Sequence, residues 1–96
     1  MIVICAKLQA RPGKEEELIS EMKALVDAVK KNEPDTMEYT FHRSRSDPRQ
    51  FLVYEKYKSN EAMQAHMSSA HFQEAGKKLG GLVLGAPALE TYEVIE

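Results

Sequence analysis

Cysteine occurs once among the 96 residues, so the chain can form no internal disulfide and no multi-cysteine metal site. That usage fits a reducing, cytoplasmic compartment. The lone Cys5 lies in an apolar run and reads as a small buried hydrophobe. An excess of charge is also missing. Thirteen basic and fifteen acidic residues leave a formal net charge of −2, with no basic stripe to follow a phosphate backbone. Nucleic acid is therefore not an expected partner. The apolar run that opens the chain, "MIVICA", is too short to cross a membrane, and no basic stretch precedes it. No internal repeat, low-complexity tract or Pro/Gly/Ser-rich linker interrupts the chain.

What is present is an ordinary globular balance, 43% hydrophobic and 29% charged. It is expected to form one domain over residues 1–96, small enough to bury only a modest share of its surface. Residues 2–10 alternate like a strand, with Ile2, Ile4, Ala6, Leu8 and Ala10 on one face and Val3 and Cys5 on the other. Pro12 and Gly13 stop it. A helix is predicted over 14–31. Glu15, Glu16 and Glu17 suit the positive end of its dipole, and Lys30 and Lys31 the negative end. Leu18, Ile19, Met22, Leu25, Val26 and Val29 form its apolar stripe. Pro34 disfavours helical geometry at Glu33 and ends it.

Strands are then predicted over 36–43, with Met37, Tyr39 and Phe41 on one face, and over 51–58, with Phe51, Val53, Glu55 and Tyr57 on one face. The polar turn around Asp47-Pro48 joins them into a hairpin. Ser59 is a candidate N-cap for a helix over 60–67, and Ser69 for a second segment over 70–79, closed by Gly80-Gly81. A last strand is predicted over 88–95. The order β-α-β-β-α-β predicts a ferredoxin-like α+β fold, a four-stranded antiparallel sheet with its helices on one face. The strands over 2–5 and 51–57 offer apolar groups to both faces, yet helices cover only one. A second copy packed sheet to sheet is the simplest cover, which predicts a homodimer.

The segments "RPGKEEEL", "EPDTMEYTFHRS", "FLVYEKYKSNEAMQAHMSSAHF" and "LETYEVIE", in that order, resemble the antibiotic biosynthesis monooxygenase domain family over essentially the whole chain. The resemblance implies a ferredoxin-like fold dimerised through its sheets into an α+β barrel. It also implies a small-molecule substrate and, in the quinol-oxidising members, oxygenation without metal or flavin. Other members cleave haem or isomerise a phosphorylated autoinducer-2 signal, and a fold alone does not choose among them. Where haem-cleaving relatives carry Asn, Trp and an axial His, this chain has Lys7, His66 and Gly76, and it contains no Trp. The likeness is nearest to the quinol monooxygenase and autoinducer-processing members.

The candidate site residues cluster around "AMQAHMSSAHF". His71 falls in the first turn of the second segment, where the helix dipole favours a neutral imidazole, and is the expected base. Glu55 is a lone carboxylate on an apolar strand face and is expected to bond His71 or His66, orienting the ring. His66, Tyr39, Tyr57, Phe72, Met63 and Met67 are the expected substrate-binding wall. Each also has a plainer reading, as packed core or as a His–Glu bridge without catalysis. No His/carboxylate set has a recognised metal spacing, and no metal is expected. Two alternatives stay open beside the oxygenase: an isomerase or processing enzyme for a small phosphorylated signal, and a non-catalytic ligand-binding dimer. A pocket of Met, Phe and Tyr favours the oxygenase. Convergence of Lys7 and Arg43 favours the phosphorylated ligand.

Overall fold

The computed structural model describes residues 1–96 as β1 (Ile2–Gln9), α1 (Glu15–Asn32), β2 (Thr36–Arg43), β3 (Gln50–Tyr57), α2 (Asn60–Ser68), α3 (Ala70–Leu79) and β4 (Ala88–Glu93). All four strands pair antiparallel in the order β2-β3-β1-β4. This is the expected ferredoxin-like α+β architecture. The last strand stops two residues short of the predicted end.

Alternation decides the two faces of the sheet. Ile4, Ala6 and Leu8 of β1 and Phe51, Val53, Glu55 and Tyr57 of β3 are all buried. The stripe of α1, through Leu18, Met22, Leu25 and Val29, packs with most of these groups into one core. Burying a side chain of this kind contributes roughly 1.5–3 kcal/mol, so four of them anchor α1 firmly. Tyr57, Ile4 and Ala62 form a smaller cluster beneath α2, with Met63 and Met67 packed against it. Met37 departs from the sequence expectation. The pairing of β2 with β3 shifts register between Thr36 and Glu38, and Met37 is left about half exposed at 49% rather than joining Tyr39 and Phe41. A bulge re-aims the side chain it carries.

Both expected caps form. The Ser59 hydroxyl accepts from the Ala62 N–H at 3.2 Å, and the Ser69 hydroxyl from the Phe72 N–H at 3.3 Å. The loop after α3 returns to the end of β1 through an Ala10–Val83 bridge. The helix-free face carries Val3 and Cys5 of β1, Leu52 and Tyr54 of β3 and Tyr92 of β4, which the register places side by side. No helix is long and apolar enough to cross a membrane.

Candidate active site

The break between α2 and α3 sets the geometry. Ser69 is extended, at φ −67° and ψ 151°, and its hydroxyl donates to the His66 carbonyl at 2.7 Å while capping α3. This tight joint leaves His66 in the last turn of α2 and His71 in the first turn of α3. The two rings lie 6.4 Å apart, centroid to centroid.

Both rings meet Glu33, the residue that ends α1 before Pro34. His66 Nδ1 lies 2.9 Å from one Glu33 oxygen and 3.1 Å from the other. His71 Nε2 bonds the same carboxylate. The Thr36 hydroxyl donates to it as well, at 2.6 Å. Burial opposes the Glu33 charge, but the hydrogen bonds from Thr36, His71 and His66 outweigh burial and hold the carboxyl below its usual range. An ionised carboxylate only accepts, so each ring must donate an N–H to it. For His66 this places the proton on Nδ1 and leaves a lone pair on Nε2. Burial pushes the His66 pKa down, against the opposing pull of Glu33, and keeps the ring neutral.

The expected partnership of Glu55 with a histidine is therefore corrected. Glu55 Oε1 instead accepts from the Tyr57 hydroxyl at 2.6 Å. Tyr57 stands two residues along on the same strand face, so it is in reach without any tertiary adjustment. Burial pushes the Glu55 carboxyl up to about 7, with Tyr57 pulling down and the Glu33 charge pushing up. Burial also drives the Tyr39 and Tyr57 phenols far above their usual value, so both stay neutral.

Between the helices and the sheet lies a cavity of about 310 Å³, at the small end for ligand sites. Tyr39, Glu55, His66, Met67 and Phe72 of the expected site line it, among aliphatic groups from β1, α1 and α3. Gly85, Pro87 and Leu89, which the sequence reading passed over, line it from the last loop and β4. No Lys or Arg is among the lining residues. His66 is 1% exposed, and its Nε2 is buried without a hydrogen-bond partner. Phe72, Tyr39 and Tyr57 crowd the ring, with centroids 4.7, 5.1 and 5.5 Å away.

Three expected site residues sit elsewhere. His71 lines a separate polar cleft with Glu33, Asp35, Ser59 and Glu61 and is not part of the cavity wall. The physical reason is the Ser69 joint, which starts α3 in a new direction and turns His71 toward the end of α1. Tyr57 is fully buried beneath the cavity, and Met63 packs beside it in the smaller cluster. Glu33 was missed altogether. Nothing in its local sequence marks it beyond helix termination, and its histidine partners are 33 and 38 positions away. Glu33, His66 and His71 also bring donor atoms within 4.8 Å of one another, a grouping that spacing along the chain had hidden. Its nitrogens and carboxylate are already joined by hydrogen bonds, so we read it as a ring-orienting bridge.

Comparison with known proteins points one way. The family model described as antibiotic biosynthesis monooxygenase matches residues 1–78. The chain is similar to YcnE of Bacillus subtilis (strain 168), assigned by name to the monooxygenases, at 34% identity over 87 residues, 91% of this chain and 90% of that protein. A crystal structure from Caulobacter crescentus CB15, assigned to the antibiotic biosynthesis monooxygenases, superposes with a TM-score of 0.95 at 32% identity, covering 99% of this chain and 90% of that one. A Nitrosomonas europaea structure gives 0.94 at 21% identity over the full length of both chains, which speaks to the fold.

Proposed function

The chain belongs to the antibiotic biosynthesis monooxygenase family, and from that premise we propose that it oxygenates a small, quinol-like aromatic compound in the helix–sheet cavity without metal or flavin. The observation that carries this reading is His66 Nε2, a buried and unpartnered lone pair on a ring that lines a largely apolar cavity and is oriented by Glu33. A phenolic O–H is the group such an atom would accept from. Removing that proton makes the ring carbons electron-rich enough to react with oxygen, and the apolar wall excludes water from the anion. The base is thus His66, in place of His71. The His71 ring lies outside the cavity and shares in holding Glu33.

The cavity's lining favours this over a phosphorylated ligand. Neither Lys7 nor Arg43 lines it. Lys7 is exposed, and Arg43 lies over the Phe51 ring and donates to the Pro48 carbonyl. We further propose that the protein works as a homodimer joined through the helix-free sheet face, where Tyr54 and Tyr92 stand beside Val3 and Cys5.

Oxygen uptake with a panel of mono- and bicyclic hydroquinones, on protein dialysed against a chelator, tests the reading. His66→Gln should lower kcat by about 10²–10⁴-fold, the span of general-base catalysis. Unchanged turnover in His66→Gln, or none in the wild type with any hydroquinone, would remove it.

A further inference from the structure

The cavity holds a second proton-carrying group that base catalysis alone leaves without a task. Glu55 is 8% exposed and lines the same wall as His66 and Tyr39. Its Oε1 is engaged by Tyr57, while Oε2 takes no hydrogen bond. The register sets Glu55 directly between Ile4 of β1 and Tyr39 of β2, and the Tyr39 ring lies 5.1 Å from the His66 ring. A carboxyl in apolar surroundings with one free oxygen is costly unless it is protonated or meets a ligand.

We propose that Glu55 is the acid partner of His66: it protonates the oxygen adduct of the substrate and then takes the proton from the oxygenated carbon. The inference rests on the oxygenase reading above. His66 Nε2 first removes the phenolic proton and becomes an imidazolium held by Glu33. The phenolate carbon, still bearing its hydrogen, forms a bond to dioxygen and leaves a peroxide anion, with the original phenol oxygen now a ketone. Glu55 donates its proton to the outer peroxide oxygen. The resulting Glu55 carboxylate then removes the hydrogen of the same carbon as a proton. The C–H electron pair becomes the second C=O bond, the O–O bond breaks, and the departing hydroxide takes the proton from the His66 imidazolium as water. The sum is a phenol plus dioxygen giving a quinone plus water. Both residues return to their starting states, and no proton is exchanged with solvent. That closure suits a cavity whose lining holds a neutral base in His66 and a carboxyl in Glu55 that burial favours in its neutral form.

The groups facing Glu55 support its neutral state. Tyr57 on β3 and Tyr39 on β2 are uncharged, Ile4 on β1, Phe72 on α3 and Leu89 on β4 are apolar, and His66 on α2 is neutral. Glu33 at the end of α1 is the one facing charge, and it opposes a second negative charge.

Glu55→Gln provides the test, since its amide oxygen still accepts from Tyr57. With one active hydroquinone, kcat should fall about 10²-fold or more, with KM nearly unchanged. Wild-type turnover should decline as pH rises through about 7, and Glu55→Gln should lose that alkaline limb while Glu55→Asp keeps one. Infrared difference spectra at pH 6 should contain a protonated-carboxyl band that Glu55→Gln lacks, a readout independent of turnover. If Glu55→Gln stays within threefold of wild type with its alkaline limb intact, or the band is absent, the acid role fails. His66→Gln separates the two ideas: inactive His66→Gln beside active Glu55→Gln keeps the base and discards the acid.

Discussion

At the residue scale, a half-buried glutamate, Glu33, and a buried one, Glu55, shift in opposite directions because their neighbours differ. Glu33 receives hydrogen bonds from Thr36, His71 and His66, which outweigh its burial. Glu55 receives one from Tyr57 and feels the Glu33 charge, so burial wins and its carboxyl is pushed up to about 7. Between its ordinary value of 4.5 and about 7, the folded chain keeps a proton on Glu55 that the unfolded chain has released. Stability therefore falls as pH rises through that window. Glu55→Gln removes this titration. Its stability relative to wild type should improve from pH 4 to pH 8 by up to about 3 kcal/mol, at 1.36 kcal/mol per pKa unit. Urea unfolding at both pH values measures the change, and an equal difference at both would contradict it. The oddity of Glu55 on an apolar strand face was legible in the sequence, as was the pair of histidines. Their partners were not. Alternation along β3 says that Glu55 faces the helices, but it does not say which side chain reaches it first.

Helices and strands were the most legible level, because local rules set them. The charges at the ends of α1, the stop at Pro34 and the caps at Ser59 and Ser69 all act within a few residues. Ser69 links this local grammar to the site. Its hydroxyl caps α3 and ties back to the carbonyl of His66. Ser69→Ala should cost about 1 kcal/mol, the usual worth of an N-cap. Chemical denaturation gives the number, and a loss below a few tenths would mean that the hydroxyl is idle. The bulge that exposes Met37 lay beyond such rules. It depends on how β2 and β3 align across the hairpin, not on the alternation of either strand.

For the whole molecule, the open matter is the helix-free sheet face. Leu52 and Tyr54 remain partly exposed and Tyr92 is 51% exposed; Tyr92 pairs beside Val3 and Tyr54 beside Cys5, with Lys7, Lys56 and Glu90 on the same face. Large apolar side chains left on an uncovered sheet face point to an interaction site, and sheet-to-sheet pairing of two copies about a two-fold axis would cover them. Light scattering should give twice the chain mass for wild type. Tyr54→Glu places a charge in the centre of that face and should shift the mass to that of one chain. A wild type that scatters as a monomer at micromolar concentration would overturn the dimer.

Composition, periodicity and capping by themselves determined the α+β class, the element order and the two-sided strands. These follow from forces that act over one turn of helix or one pleat of strand. Only the tertiary structure decided that Glu33 binds both histidines, that His66 lines the cavity with its Nε2 buried and unpartnered while His71 lines another cleft, and that Glu55 belongs to Tyr57. The first two depend on where the end of α1 meets the α2–α3 joint, across more than thirty residues of chain. The third joins neighbours two residues apart on one strand face, but alternation alone did not choose Tyr57 over a histidine. No local propensity encodes such a meeting. The meeting of Glu33 with both histidines is the outcome of packing three helices on one sheet.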